Sequence, residues 1–182
     1  MGRVAEVTTV IRFIGIVNAA IWLGAAVFVT IGVAPAFFGE EMKALLGPSF
    51  PAWSGALVQV VFKRFFLLNY VCGGIAVVHL LAEWLYQGKP IENATLGLLA
   101  GLLLFSLAGG MVMQPRLSSL HRIKYSPSTP PDQRLRAAGS LRVWHGVSQT
   151  ANLIMLGGLF VYFWRTASKP DAVRFLSSNK FQ

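Results

Sequence analysis

The sequence predicts an all-α integral membrane protein, a bundle of four transmembrane helices with an interfacial extension before helix 2. Three observations predict it. Apolar stretches at about 13–38, 65–86, 91–113 and 141–164 each supply the roughly 20 residues that a helix rising ~1.5 Å per residue needs to cross a hydrocarbon core ~30 Å thick. Of the 182 residues, 54% are hydrophobic and 13% charged, against about 25% charged in an ordinary soluble domain. Too little chain lies outside the four stretches to build a second core, so residues 1–182 read as one four-span domain.

The first span follows Arg3 and Arg12, and Ala34-Pro35-Ala36 has the small-residue look of a cleavage site. Its apolar run exceeds the ~7–15 residues of a signal sequence, which predicts a retained helix. That helix is expected to end at Ala34-Pro35, because the residue before proline disfavours helical geometry. Glu40, Glu41 and Lys43 make a polar connection. Ser49 then suits a helix cap and Pro51 a first turn, where a missing N–H costs nothing. A helix from there to Tyr86 is longer than a bilayer is thick, so its start should lie at the interface, with Lys63 and Arg64 reaching lipid head groups. The tight Gln87-Gly88-Lys89-Pro90 link makes helices two and three antiparallel neighbours. Residues 117–140, with the Pro/Ser-rich stretch from Ser126 to Asp132, read as a mobile surface loop, and 169–182 as a polar tail on the membrane surface.

Small residues at Gly15/Ala19, Ala20/Gly24, Gly97/Gly101 and Ser106/Gly110 repeat at helical spacing and predict close helix contacts. Trp22, Trp53, Trp84, Trp144 and Trp164 are expected mostly in the interfacial belts. The net charge of +9 sits in loops and tails beside spans, which points to anionic membrane lipid as partner and away from nucleic acid. A single cysteine, Cys72, allows no internal disulfide and reads as packing. Nine basic residues flank the long connections and seven the termini and short turn. That balance is too even for the positive-inside rule to orient the chain.

Placed on four antiparallel spans, most unusual polar residues gather at one membrane face: Lys63, Arg64, Asn69, Gln114, Arg116, His145, Ser148, Gln149 and Asn152. His145, Ser148, Gln149 and Asn152 follow i, i+3, i+4, i+7 and share one helix stripe. With Arg116 they form the candidate site. Either they tie helices together through hydrogen bonds worth about 0.6 kcal/mol each, or they line a wet pocket for an anion, a lipid head group or a quinone-like carbonyl.

Gln114-Pro115-Arg116 leaving the third helix, and Trp144-His145-Gly146-Val147-Ser148 with Asn152-Leu153 in the fourth, resemble the transmembrane-protein-205-like family. Phe50-Pro51 and a small-residue-rich first helix reaching Pro35 fit the same pattern. The resemblance spans the chain in helix number and order, although the stretch from Pro51 into helix two looks longer here. It implies a small four-span protein without an assigned reaction, with Arg116, His145, Ser148 and Asn152 as typical positions.

Other chemistry is discounted. No phosphate-binding loop, nucleophile elbow, zinc-protease motif or CxxC is present. His79 and His145 should lie about 15 Å apart in depth, too far to share one haem. Haem or chlorophyll held through a single His stays open, and no other cofactor is expected. His79 and Glu83 share a helix face but are too few for a metal site. The resulting expectation is a non-enzymatic protein of the bacterial cytoplasmic (inner) membrane, an accessory or packing subunit associating with other subunits or itself. The alternative is a small transporter or lipid/ion-handling protein using Arg116, His145 and Asn152.

Overall fold

A computed structural model of the chain describes residues 2–88 and 90–168; the tail expected over 169–182 lies outside them. In chain order the elements are α1 (Gly2–Val27), a π-helical turn (Phe28–Val33), α2 (Ala34–Phe38), α3 (Glu40–Leu46), a 3₁₀ turn (Gly47–Ser49), α4 (Phe50–Gln87), α5 (Asn93–Ala108), a second π-helical turn (Gly109–Met113), α6 (Gln114–Tyr125) and α7 (Pro131–Ser168). Four helical segments are long and apolar enough to cross a membrane: Glu6–Phe38, Glu40–Tyr86, Asn93–Tyr125 and Pro131–Ser168. The fold is the all-α four-span bundle, and the extension expected before helix 2 is the N-terminal part of α4, preceded by α3 and the 3₁₀ turn.

Pro35, expected to end the first helix, does not, and Pro115 does not end the third. The chain stays helical through Pro35 and Pro115, and each is preceded by a π-helical turn. Proline lacks an N–H and collides with the carbonyl four residues back. An extra residue in the preceding turn accommodates both faults, so the helix continues. Gly88 ends α4 instead, at φ 59°, a left-handed position where a Cβ is strained. Its N–H donates to the Trp84 carbonyl at 3.2 Å, and the chain turns back into α5.

The segment 117–140 is also more ordered than its composition suggests. α6 runs to Tyr125 and α7 starts at Pro131, leaving 126–130 as the turn between them. Leu120 and Ala137 are buried where α6 packs on α4 and α7. Tertiary contact outweighs local Pro/Ser composition there.

α1 and α5 each pack on both α4 and α7, giving an up-down-up-down square. Its core is Ala19, Trp22, Ala26, Cys72, Ala76, Leu99, Leu102, Met155, Leu159 and Tyr162. Trp22 is therefore a core residue and not part of an interfacial belt, whereas Trp53, Trp84 and Trp164 are exposed. The small-residue positions divide in the same way. Gly15 lies against His79, Gly109 against Phe66 and Gly110 against Tyr70, while Gly24, Gly97 and Gly101 have nothing within 4 Å of where a Cβ would stand.

Candidate functional site

The helix pairs register the bundle in depth. His79 meets Gly15, Asn69 meets Trp22, and Asn152 meets Thr30. Arg12, Glu83, Thr95 and Arg165 accordingly lie near one end of the spans. About 20 residues further along each helix, one hydrocarbon thickness, stand Gly32, Lys63, Pro115 and His145. α4 and α7, with 38 residues each, are about 57 Å long. Their N-terminal portions therefore rise beyond that second boundary with α2, α3 and α6.

Lys63, Arg64, Arg116, Arg142 and His145 fall at the second boundary, and all are exposed. The sequence-predicted residues share a level, a belt of basic groups on α4, the third span and α7. It is not gathered into a pocket. Gln149 is exposed and Ser148 donates to the His145 carbonyl of its own helix at 2.8 Å. Asn152 alone reaches across the bundle, its Nδ2 donating to Thr30 Oγ1 at 2.9 Å. Thr30 in turn donates to the Ala26 carbonyl at 2.7 Å, so this pair pins the π-helical turn of the first span to α7. Asn69 lies deeper than expected, fully buried in mid-bundle, where it accepts from Trp22 Nε1 at 2.5 Å.

The polar interior is concentrated at the opposite end. His79 and Glu83, one turn apart on α4, are both buried. They line a cavity of ≈ 10 Å³ with Thr95 from α5 and Tyr162 and Thr166 from α7; Leu80 and Leu99 complete its wall. Thr95 Oγ1 donates to Glu92 Oε2 at 3.1 Å and Arg165 Nη2 donates to the same oxygen at 2.6 Å. One layer deeper, Asn18 Nδ2 donates to the Cys72 carbonyl at 2.9 Å. Among the described residues no third His, Cys, Asp or Glu joins His79 and Glu83 in a metal-sized group. His79 and His145 are separated by more than the Gly15–Thr30 interval, about 22 Å along the bundle, so the two cannot ligate one haem.

Sequence reasoning paired His79 with Glu83 but missed Thr95, Tyr162, Thr166 and Asn18. The available signal was depth: each lies within two turns of the same span end as Glu83, where a polar side chain at a buried position needs a partner.

No curated protein and no solved structure matches the chain. A family described as a domain of unknown function, DUF4149, matches residues 17–126, from mid-α1 to the end of α6. The match covers His79, Glu83, the Lys63-Arg64 pair and Arg116, and stops before the His145–Asn152 stripe. With more than half of its length matched, this chain belongs to the DUF4149 family.

Proposed function

We propose that this is a non-catalytic integral membrane protein that acts by association, as an accessory or packing subunit of a larger membrane assembly or as a homo-oligomer, in a bacterial cytoplasmic membrane. The observation that carries the reading is the outer face of α5. Gly97 and Gly101 have open space beside them, flanked by exposed Ala94, Ala100 and Leu104. Glycine in a helix costs about 1 kcal/mol relative to alanine. In lipid its benefit is the close approach of another backbone, and within this bundle nothing approaches. The most apolar windows of the four spans are only 17–33% buried, which leaves wide faces for neighbours.

Changing Gly97 and Gly101 together to Leu is expected to leave the monomer's thermal stability intact and to abolish its co-migration with itself or other subunits on native gels in mild detergent. A wild-type protein that migrates as a lone monomer at every lipid-to-protein ratio would refute association.

The basic belt supports anionic membrane lipid as a second partner. Each Lys or Arg near an anionic surface contributes about 1 kcal/mol. Replacing Lys63, Arg64 and Arg116 by Gln should strip retained anionic lipid from the purified protein, measured by native mass spectrometry, without unfolding it. The transporter or lipid/ion-handling reading through Arg116, His145 and Asn152 is supported less well, because Asn152 is engaged with Thr30 while Arg116 and His145 face outward. The Gln114-Pro115-Arg116 and His145–Asn152 motifs support the narrower affiliation with transmembrane-protein-205-like proteins.

A further inference from the structure

His79 and Glu83 are 8% and 9% exposed, although the apolar medium around a span makes ionisable side chains expensive there. Their cavity of ≈ 10 Å³ has room for about one water and for no organic ligand. Every helix packed around it brings polar or charged groups to this level. α1 brings Arg12, α4 brings Glu83 beside His79, the start of α5 brings Glu92 and Thr95, and α7 brings Tyr162, Arg165 and Thr166. Two cations balance two carboxylates, so a neutral His79 leaves the layer without excess charge. Histidine is the side chain whose ordinary titration falls in the physiological range, and a proton is the one ligand small enough to change the charge of this layer without enlarging it.

A polar route leads outward from the cavity. Thr95, on its wall, donates to Glu92, and Glu92 is exposed and ion-paired with Arg165. The inward direction is closed. Asn18 is committed to the Cys72 carbonyl, and beyond it Trp22, Asn69 and Ser106 are 0% exposed. Indole, amide and a hydroxyl bound to its own helix carbonyl are not proton carriers at ordinary pH.

We infer that His79 and Glu83 share one exchangeable proton, loaded and released through this cavity from the face carrying Glu92 and Arg165, and isolated from the opposite face by the Trp22–Asn69 layer. The proton arrives from a hydronium ion in bulk solvent, leaving water behind, and passes over water in the cavity to the pair. It returns by the same route, so no net transport occurs. Two interacting groups titrate as a unit, and the proton belongs to the pair. The His79 ring lies against Gly15 of α1. The added charge therefore appears at the α1–α4 contact, and the pH of one compartment acts on the packing of those two helices.

The test uses the full chain reconstituted with one orientation in liposomes of zwitterionic and anionic phospholipid, with pH as the probe and infrared difference spectroscopy as the readout. A pH step on the Glu92 side should produce the carbonyl-stretch band of a buried protonated carboxyl, set apart in frequency from hydrated carboxyls. The same step on the opposite side, where Glu40, Glu41 and His145 are exposed, should not produce that band. The carboxyl band should be lost in Glu83→Gln, and in His79→Gln the remaining carboxyl titration should shift. Thr95→Val should keep the full amplitude and slow its appearance. The sidedness experiment needs only wild-type protein, so a variant that fails to fold does not remove the test. Equal buried-carboxyl bands from both faces, a buried-carboxyl band that survives Glu83→Gln, or the same band driven by sodium or potassium at constant pH would each overturn the inference.

Discussion

Trp22→Ala is expected to destabilise the bundle by about 3 kcal/mol, at the lower end of the ~3–5 kcal/mol found for removing a buried large aromatic. The side chain is 0% exposed and meets Tyr162 edge-on, with ring centroids 6.1 Å apart at 69°. Its Nε1 donates to Asn69 Oδ1. Unfolded helices remain in lipid, so water transfer contributes little to the loss. What disappears is dispersion contact across a dry, close-packed layer, together with the partner of a buried amide oxygen whose Nδ2 already has none. Trp22→Phe keeps most of the ring volume and removes only the bond, and should cost about 1–3 kcal/mol. Thermal or steric-trap unfolding in detergent would rank the two. Equal losses would mean that the hydrogen bond, and not the packing, dominates. A loss below about 1 kcal/mol in Trp22→Ala would mean that neighbouring side chains collapse into the space.

The first span illustrates which properties could be read in advance. Its existence was legible because a bilayer demands ~20 apolar helical residues in a row, and no other solvent imposes so coarse a requirement. Its end was not, because Pro35 signals a stop only if the preceding turn is α-helical, and that turn is π-helical. Trp22 carries the same lesson. Tryptophan prefers an interface when its N–H must find water, but Asn69 on α4 supplies the acceptor inside the bundle, and that pairing spans 47 residues of sequence.

Depth was legible for the polar residues at the span ends, though not for Asn69, and azimuth was not. Lys63, Arg116 and His145 do share one level, since counting residues from a span's end gives depth directly. Whether a stripe faces the interior depends on how each helix is rotated, which its own periodicity decides only when one side is clearly more polar. In α7 the stripe of His145 and Gln149 turns outward, while Asn152, one turn further, reaches Thr30. The small-residue pairs divide for the same reason: Gly15 and Gly110 meet neighbouring helices, whereas Gly97 and Gly101 have the same helical spacing on a face directed away from the bundle. The 117–140 segment failed for a different reason, because its helices are stabilised by contacts of α6 with α4 and α7, which no local composition reveals.

Gly15→Leu should separate α1 from α4 and cost about 1–3 kcal/mol, the usual range for overfilling a packed interior. A Cβ at Gly15 would stand 2.2, 2.5 and 2.6 Å from Nε2, Cε1 and Cδ2 of His79, so the imidazole lies flat on the glycine and leaves no direction in which one carbon fits. Ala19 and Ala76, both buried, continue this close approach along the two helices. The ring cannot swing aside cheaply, since His79 is itself buried and lines the cavity shared with Glu83 and Tyr162. If that contact is the cause, His79→Ala should restore much of the loss, and the cycle of two single variants and their combination should show a coupling of about 0.5–3 kcal/mol. Gly24→Leu is the control on the same helix, where nothing lies within 4 Å, and its stability should be unchanged or slightly raised by the better helix propensity of leucine. Matching losses at Gly15 and Gly24 would assign the effect to helix α1 as a whole. A loss confined to Gly15 and relieved by His79→Ala would assign it to a single point, where the ring of a titratable side chain determines how closely two membrane-spanning helices approach.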